Sequence, residues 1–355
     1  MAFSLPDIPF APQNPKSYRP AIGLIGCGAI TAEHLQAYRQ AGYNVTALSD
    51  IDREAADARR SEFYPNADIF TDYRDLLAND AVKVVDIATH PEIRAEIIET
   101  ALLADKHVLS QKPFVLDLEV GQRLADLAAQ RNRKLAVNQN GRWAPHFSYI
   151  RQTAAAGIIG EIQAVHFAVH WDHNWVSDTQ FDRVKHLILY DFAIHWFDML
   201  TCIMGKREAT TAFATLTHST SQIARPALLA QVLVEYDCAQ ASLVFDADTQ
   251  FGKLDTTIVV GSEGTITSTG PDVNRQTVVV DVGGYRFSPV LKGRWFPDGF
   301  HGTMGELLRS IEENREPEIS ANENLRSLAL CFAAVESAEQ GSPVAPGSVS
   351  RLPND

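Results

Sequence analysis

The stretch that decides the fold reads AIGLIGCGAIT, residues 21 to 31. An apolar run leads into Gly26 and Gly28, and helical spacing of apolar residues follows over 30–40. Glycines at a strand-to-helix turn let the backbone approach a ligand closely. The third position of the G-x-G-x-x-G fingerprint holds Thr31 instead of glycine, so the glycine pair alone does not establish a dinucleotide site.

Strand-like and helix-like stretches alternate through the first half of the chain. Residues 82–88 form a near-continuous apolar run, as expected for a parallel strand that is covered on both faces. Such alternation is typical of a doubly wound parallel α/β sheet. The predicted strands are 21–25, 43–49, 82–88, 107–110 and 134–138, and the predicted helices are 30–40, 92–104 and 117–131.

Asp50 supplies the context that the glycine turn needs, because it ends the second predicted strand, 22 residues after Gly28. In a dinucleotide-binding unit, a carboxylate here accepts both ribose hydroxyls of the adenosine and repels a 2′-phosphate, while the pyrophosphate lies at the start of the helix. The sequence therefore favours NAD over NADP, with a ligand-free tight turn as the alternative. The candidate cofactor contacts are Gly26, Gly28, Ala29, Ile30, Asp50 and Ile51.

The pattern changes after residue 141. A helix (145–155), a strand (161–171) and a helix (187–203) lead into successive strand-like stretches with short turns, which favour a large, mostly antiparallel open sheet in an α+β domain. The predicted strands are 209–217, 229–236, 240–247, 255–260, 263–268 and 276–281, followed by helices at 301–313 and 321–339.

These patterns predict three parts of the chain. They are an extended, proline-rich arm (1–18), a Rossmann domain (19–141), and a domain for substrate binding and oligomerisation (142–355). The last helix, 321–340, is a candidate to pack back on the Rossmann domain. We expect a ligand crevice where the two domains meet, at the carboxyl ends of the parallel strands.

Composition and charge exclude several classes of function. The net charge of −13 and the pI near 5.3 argue against nucleic-acid binding, which needs a basic face. The chain starts without a signal-peptide pattern, and no apolar run reaches transmembrane length. Four cysteines without C-x-x-C spacing are typical of reduced thiols, so we expect a cytoplasmic protein without a membrane partner. Cys27, near a helix start, could have a lowered thiol pKa, but packing is the favoured interpretation.

Lys112 is the first candidate for chemistry. It follows the strand at 107–110 and therefore lies at the carboxyl edge of the parallel sheet, beside the expected position of the nicotinamide. Its ammonium could hydrogen-bond a substrate hydroxyl and stabilise a developing alkoxide. A solvated loop lysine is the alternative.

Asp191, His195 and Asp198 form the second candidate. On one continuous helix they share a face, at i, i+4 and i+7 of an otherwise apolar segment. A histidine beside an aspartate can accept a proton near neutral pH. Core polar groups with structural partners are the alternative.

The third candidate is the segment HWDHNW, residues 170–175. Aromatic rings mixed with hydrogen-bonding groups suit a sugar, so we expect Trp171, Asp172 and His173 to contact substrate. A zinc site at the nearby histidines is the alternative, but no cysteine or carboxylate cluster has ligand spacing, so we predict no metal. The segment WFPD, residues 295–298, either joins the pocket or merely packs.

The order of these motifs resembles the glucose–fructose oxidoreductase, inositol dehydrogenase and rhizopine catabolism family (Gfo/Idh/MocA). The resemblance covers nearly the whole chain. It implies a Rossmann domain plus an open-sheeted α/β domain, homodimers or homotetramers assembled through that sheet, and oxidation or reduction of sugars and polyols. The motifs that carry it are GCGAIT with His34, Asp50, Ala88-Thr89, Lys106-His107-Val108, Lys112-Pro113, Gly141-Arg142-Trp143 and Asp191-x-x-x-His195-x-x-Asp198.

The resemblance also implies roles for individual residues. Lys112 matches the lysine of the family's Glu-Lys-Pro motif, which contacts substrate and cofactor. Asp191 and His195 match the pair that completes the catalytic set in inositol-oxidising members. His195 would then be the general base, Asp191 its partner or a substrate ligand, and Lys112 the electrostatic support. The further cofactor contacts implied are Thr89, His90, Gln111, Lys112, Asn140, Arg142 and Trp143.

The chain departs from the family pattern near the nicotinamide. Gln111 replaces the usual glutamate, so Lys112 loses a neighbouring negative charge. Arg94 stands where a histidine is usual, and His90-Pro91 replaces a common Pro-Asn. These changes concern the geometry of the cofactor rather than its identity.

The sequence thus predicts an NAD(P)-dependent dehydrogenase that acts on a CH–OH group of a sugar or polyol, with NAD as the favoured cofactor. One alternative is a glycoside hydrolase that uses tightly held NAD as a transient oxidant. The other is a non-catalytic protein that senses sugar and NAD. The intact Lys112, Asp191 and His195 argue against the sensor.

Overall fold

The computed structural model describes residues 5–352, so residues 1–4 of the predicted arm lie outside it. The rest of the arm, residues 5–18, contains neither helix nor strand. Contacts divide the chain into two compact units. The first unit comprises Pro12–Trp143 and Phe296–Leu325, and the second comprises the remaining described residues.

Strands and helices alternate in the first unit, as the sequence predicts. Six parallel strands form one sheet, in the order β3-β2-β1-β4-β5-β6. The strand order reverses between β1 and β4, which is where doubly wound sheets bind ligands at their carboxyl ends. The elements are β1 (Ala21–Ile25), α1 (Thr31–Ala41), β2 (Asn44–Ser49), α2 (Arg53–Phe63), β3 (Asp68–Phe70), α3 (Tyr73–Leu77), β4 (Val82–Ile87), α4 (Pro91–Leu103), β5 (His107–Gln111), α5 (Leu118–Gln130) and β6 (Leu135–Asn138).

The sequence pattern misses three of these elements, α2, β3 and α3. Helix α2 buries only Ala56 and Phe63, so its apolar stripe is weak. Its start is instead defined by Asp52, whose carboxylate accepts backbone N–H groups of the first turn, and Asp72 caps α3 in the same way. Side-chain caps and tertiary packing therefore define this region more than apolar periodicity does.

The rest of the chain adds a second, mixed sheet. Its order is β14-β13-β12-β11-β7-β10-β9-β8, and every pair is antiparallel except β7 with β10. This confirms the predicted mostly antiparallel sheet. The elements are α6 (Pro145–Ala155), β7 (Ile162–His170), α7 (Ile194–Met204), β8 (Ala209–Thr217), β9 (Leu229–Tyr236), β10 (Ala239–Asp246), β11 (Leu254–Gly261), β12 (Gly264–Asp272), β13 (Arg275–Val282), β14 (Tyr285–Phe287), α8 (Trp295–Glu312) and α9 (Ala321–Gln340).

The segment 296–325, which the sequence analysis assigns to the second domain, belongs to the first unit. The N–H of Val137 on β6 donates to the carbonyl of Ile319 at 2.8 Å, and Ala136 forms an isolated antiparallel bridge with Ser320, so residues 319–320 pair with the edge strand of the first sheet. On α8, a Cβ added to Gly302 would lie 2.1 Å from the indole ring of Trp143. Glycine at this position therefore lets the helix and the indole ring lie in close contact.

No helix among residues 5–352 is long and apolar enough to span a membrane.

The second sheet has one buried and one open face, because side chains alternate along each strand. On the open face, one row of paired residues crosses seven strands, and Leu233 within it is 59% exposed. The row consists of Phe213, Leu233, Ser242, His166, Ile258, Thr267 and Val279.

Asp255 is a carboxylate buried on the opposite face, at the start of β11. Its burial, with a contribution from the charge of Asp272, raises the pKa of Asp255 to about 7. Because the folded pKa lies above the unfolded value of about 3.9, the folded state holds the proton more tightly. The contribution of this group to stability is therefore fully present below the unfolded pKa and is lost as the pH rises through 7.

We expect Asp255→Asn to become more stable relative to the wild type as the pH rises from about 5 to about 8, by up to a few kcal/mol, because the amide carries no charge to bury. Urea unfolding at several pH values measures this difference. Asp80→Asn, at an exposed aspartate, is the control. A difference between Asp255→Asn and wild type that does not change with pH would contradict the assignment.

Candidate functional site

The glycine turn after β1 has the geometry that a dinucleotide needs. Gly26 has a φ of 92°, and a Cβ there would lie 3.0 Å from the carbonyl group of Ala88. A Cβ added to Gly28 would meet nothing within 4 Å, so the turn faces open space at this point. Helix α1 then begins without a side-chain cap. Its first N–H groups and its dipole therefore suit a pyrophosphate.

The carboxylate of Asp50 is held across this turn. Its Oδ2 accepts the N–H of Cys27 at 2.6 Å, and its Oδ1 accepts the N–H of Asp52 at 2.9 Å. Each oxygen retains lone pairs for a ribose hydroxyl. The neighbouring side chain of Ile51 is 94% exposed, so it is available to the adenosine end of a cofactor. The residues therefore fit NAD, and the negative charge disfavours the 2′-phosphate of NADP.

Thr31, which replaces the third glycine of the fingerprint, has a defined role in the turn. Its side chain is buried, and its hydroxyl donates to the carbonyl of Gly28 at 2.6 Å. Arg59 on α2 donates from Nε to the Thr31 hydroxyl at 3.3 Å and from Nη2 to the Gly28 carbonyl at 3.1 Å. The side-chain hydrogen bonds of Thr31 and Arg59 therefore stabilise the turn, whereas the side chain of a glycine at position 31 would form none.

Cys27 packs inside the turn, as the favoured interpretation holds. Its side chain is buried, and its Sγ lies 3.8 Å from the carbonyl oxygen of Ser49. Burial, together with the nearby charge of Asp50, raises the pKa of the Cys27 thiol to about 12. The thiol therefore stays protonated near neutral pH and is a poor nucleophile.

Lys112 follows β5, and its backbone is held on both sides. Its N–H donates to the side-chain Oε1 of Gln111 at 2.8 Å. The guanidinium of Arg94 donates to the carbonyl of Gln111 at 2.7 Å and also to the carbonyl of Pro113. The Nε of Arg94 donates to the carbonyl of Thr89 at 3.0 Å, which joins the loops after β4 and β5. The two unusual residues, Gln111 and Arg94, thus converge on the peptide that carries the lysine.

The other predicted cofactor contacts of the first unit divide into two groups. Thr89 and His90 follow β4 at the carboxyl edge of the sheet, with His90 exposed. Asn140, Arg142 and Trp143 are buried in a short turn after β6. Arg142 donates to the carbonyl of Glu318 at 2.6 Å, and Trp143 packs against α8. Arg142 and Trp143 therefore hold segment 296–325 to the sheet.

In the second unit, the fold brings the segments around residues 171 and 195 together. The Trp171 and His173 rings are stacked, with centroids 5.9 Å apart. Both rings contact Phe192, at 5.2 Å and 4.2 Å, immediately after Asp191. Trp295 meets the His195 ring edge-on at 5.2 Å. Trp295, left open by the sequence analysis, is therefore part of the aromatic surroundings of His195.

The prediction of one continuous helix over 187–203 is wrong. Residues Ile188–Phe192 form a π-helical turn, in which the N–H of Ala193 donates to the carbonyl of Ile188 at 2.8 Å, and α7 starts only at Ile194. The wider turn changes the angle between Asp191 and His195 from that of an α-helix. Bulky apolar side chains on all sides of the segment hide this change from sequence periodicity. Single π turns are frequent at functional sites.

Asp198 belongs to the core rather than to an open stripe. Its side chain is buried, and its Oδ1 accepts the hydroxyl of Ser327 on α9 at 3.0 Å. Asp198 therefore does not belong to an open face together with Asp191 and His195. Asp191 is partly exposed, whereas His195 is 9% exposed.

Asp172 organises the loops at the end of the second sheet. Its Oδ1 accepts both the backbone N–H and the side-chain Nδ2 of Asn174, each at 3.0 Å. Asn174 also donates to Asp248 at 2.5 Å and accepts the N–H of Ile223 at 2.7 Å. Three loops are thus tied together beside Trp171. Among the described residues, no group of three or more metal-ligating side chains is arranged to hold a metal ion.

A separate open groove of about 590 Å³ lies in the second unit. Its charged side chains largely pair with one another, with Lys185 to Glu339 at 3.1 Å and Arg225 to Asp182 at 3.3 Å. None of the predicted site residues lines it. The groove therefore does not mark the candidate site.

Two family models match the chain. Residues 21–139 match the oxidoreductase family with an NAD-binding Rossmann fold, and residues 147–267 match the GFO/IDH/MocA C-terminal domain. The D-apiose dehydrogenase of Paraburkholderia graminis is 26% identical over 90% of this chain and 88% of its own length. The inositol 2-dehydrogenase of Rhizobium meliloti is 25% identical over 89% of this chain and 96% of its own length. Alignments with some other curated relatives span only 41% of those proteins.

Solved structures share the fold. A levoglucosan dehydrogenase in complex with NADH and levoglucosan superposes with a TM-score of 0.79 at 21% identity, over 93% of this chain and all of its own. At that identity the likeness concerns the fold alone. With both halves matched by the family models and the glycine turn and Asp50 in position, the chain belongs to the Gfo/Idh/MocA family of NAD-binding oxidoreductases.

Proposed function

We propose that the protein is an NAD-dependent dehydrogenase that transfers a hydride between nicotinamide and a carbinol or carbonyl carbon of a monosaccharide or cyclic polyol. The observation that carries the proposal is the aromatic group of Trp171, His173 and Phe192 beside Asp191. Aromatic faces stack on the CH faces of sugars, while neighbouring polar groups bind hydroxyls. The relatives named for D-apiose and inositol support this substrate class.

In this proposal, His195 accepts the proton of the reacting hydroxyl. Its surroundings favour such a role, because the ring is largely buried against Trp295 and can be held in one orientation. Asp191, partly exposed on the π turn, orients His195 or binds a second hydroxyl. Trp171, which is partly exposed, supplies the stacking surface, the buried His173 ring supports it from behind, and Asp172 holds their loop.

Lys112 is proposed to hydrogen-bond the reacting oxygen and to stabilise negative charge as the proton leaves. The support is the backbone clamp, since Gln111 and Arg94 hold the peptide groups on either side of this lysine. A preorganised donor stabilises developing charge with little reorganisation during the reaction. Bound NAD supplies the hydride acceptor.

We also propose that the chain forms a homodimer or homotetramer through the open face of the second sheet. Phe213 and Leu233 lie in neighbouring strands on that face, with Leu233 59% exposed, and Ile258 and Val279 lie further along the same row. Exposed apolar side chains on an open sheet face are typical of an interface. The four cysteines are all free thiols, which supports a cytoplasmic location.

The catalytic proposal predicts NADH formation with at least one member of a panel of aldoses and inositols, chosen by thermal shift in the presence of NAD. His195→Ala and Lys112→Ala should lower kcat by about two to four orders of magnitude, because each removes a group that acts on the proton or the developing charge. NADH fluorescence titration should show that both variants still bind cofactor.

Matched controls are His218→Ala and Lys253→Ala, at exposed positions of the second unit. Wild-type turnover by His195→Ala would refute the role of this residue. Release of sugar from a glycoside without net NADH would indicate an NAD-dependent glycoside hydrolase. Binding of sugar and NAD without turnover of any substrate would indicate a sensor.

Asp50 should control cofactor choice. Asp50→Ser removes the charge that meets the ribose hydroxyls, so we expect NAD affinity to fall by about 10- to 100-fold, the worth of a charge-assisted hydrogen bond. The ratio of NADP to NAD affinity should rise, because the repulsion of the 2′-phosphate is gone. Titration of protein fluorescence with both cofactors measures this, with Glu54→Gln at an exposed carboxylate as the control. An unchanged ratio would argue against the position assigned to the adenosine.

Leu233→Asp should weaken the proposed assembly, because it places a charge beside Phe213 on the open face of the sheet. We expect light scattering coupled to size exclusion to show a lower mass at micromolar concentration. Val290→Asp, at another exposed apolar position, is the control and should leave the mass unchanged. A wild-type protein that is already monomeric would refute the proposal.

A further inference from the structure

A continuous chain of buried hydrogen bonds runs from β4 to the backbone of Lys112. The carboxylate Oδ2 of Asp86 lies 2.7 Å from Nδ1 of His34, and the hydroxyl of Tyr38 donates to the same oxygen at 2.7 Å. The other ring nitrogen of His34, Nε2, lies 3.1 Å from the amide Nε2 of Gln111. The Oε1 of that amide accepts the N–H of Lys112 at 2.8 Å. His34 and Asp86 are both fully buried.

Only one arrangement of protons satisfies this chain. The N–H of Lys112 can only donate, so the amide oxygen of Gln111 must face it and the NH₂ group must face His34. The ring Nε2 is then an acceptor, and the ring proton lies on Nδ1, where it is donated to Asp86. His34 is therefore neutral, with its proton on Nδ1.

The groups of the described chain that pack against His34 do not require a charged imidazole. The groups packed against His34 are Tyr38 of its own helix, Asp86 of β4, Gln111 of β5 and the ring of Phe300 of α8, whose centroid is 4.2 Å away. The Asp86 Oδ2 accepts a hydrogen bond from Nδ1 of His34 and one from the hydroxyl of Tyr38.

A glutamate at position 111 would behave differently. Its carboxylate could still accept the N–H of Lys112, but it has no proton to donate to Nε2 of His34. The imidazole would then need a second proton to meet carboxylates on both sides, and its charge would change with pH. Glutamine removes this dependence because its amide does not titrate.

Arg94 completes the arrangement at the same peptide group. Its guanidinium donates to the carbonyl of Gln111, while the Gln111 side chain accepts the N–H of Lys112. Both polar atoms of the peptide between residues 111 and 112 are therefore bound, and the carbonyl of Pro113 is bound as well. Gln111 and Arg94, two of the departures from the family pattern, thus act on one peptide.

We propose that Gln111 and Arg94 are positioning residues that clamp the Lys112 peptide, and that the Gln111 amide keeps His34 as the neutral Nδ1–H tautomer. The inference rests on the proposed function in assigning Lys112 to the substrate. Its consequence is that the Lys112 N–H is held by an amide oxygen, a group that does not titrate.

The decisive measurement is the tautomer of His34 in the protein without cofactor. Long-range ¹H–¹⁵N spectra of histidine-labelled protein near neutral pH should show a neutral imidazole with its proton on Nδ1. This signal should be absent in His34→Asn, which assigns it. A charged or Nε2–H His34 in the wild-type protein near neutral pH would overturn the proposal, whatever the enzyme's substrate.

Two substitutions test the link to Lys112. In Gln111→Glu, which matches glutamine in size, His34 should become doubly protonated and titrate, and the pH profile of kcat should gain an ionisation absent from the wild type. In Gln111→Met, which removes both hydrogen bonds, kcat should fall by about 10- to 100-fold, because Lys112 is no longer held in position. Gln130→Glu, at an exposed position of α5, is the charge-matched control.

The failures of the two proposals can be told apart. If Lys112→Ala retains full turnover, the proposed function is wrong, and the tautomer result is unaffected. If Lys112→Ala is inactive but Gln111→Glu leaves both the His34 titration and the pH profile as in the wild type, the positioning proposal is wrong. Should Gln111→Met fail to fold, the wild-type tautomer and the glutamate variant still decide.

Discussion

The close approach of the backbone at Gly26 is the constraint on which the first unit depends. A side chain there would collide with the carbonyl group of Ala88, so only glycine lets the end of β1 lie so near the end of β4. The turn into α1 then leaves open space at Gly28, and the N–H of Cys27 faces Asp50. This contact sets the distance between the ends of β1 and β4, and the cofactor edge of the sheet is built around these two strand ends.

In the second unit, packing of aromatic rings takes the place of such a backbone constraint. Phe192 and Trp196 lie 4.8 Å apart at the π turn, and both contact Trp171. The turn sacrifices regular helical hydrogen bonding, a loss that is sustained only when the surrounding packing determines the conformation. The resulting local geometry sets Asp191 apart from the start of α7. Aromatic packing thus contributes to the local geometry around Asp191, whereas hydrogen bonds fix the turn beside Asp50 in the first unit.

Three of the residues that depart from the expected motifs, Thr31, Gln111 and Arg94, have hydrogen-bond partners distant in the sequence. Thr31 is bound by Arg59, and Gln111 by His34. Arg94 binds the carbonyl groups around Lys112. Each of these replaced residues therefore forms a hydrogen bond with a residue that is not part of the same motif. The buried environment makes such compensation necessary, since an unsatisfied polar group there is costly.

The sequence by itself determined the doubly wound sheet, the mostly antiparallel second sheet, the glycine turn and Asp50, because apolar periodicity and turn residues are local properties of the chain. It missed α2, whose start depends on a cap and whose buried face is small. Only the tertiary structure decided that segment 296–325 joins the first unit, that residues 188–192 form a π turn, and that Asp198 is a core group bound to Ser327. Each of these depends on contacts between residues far apart in the chain, such as Val137 with Ile319, and no local pattern records them.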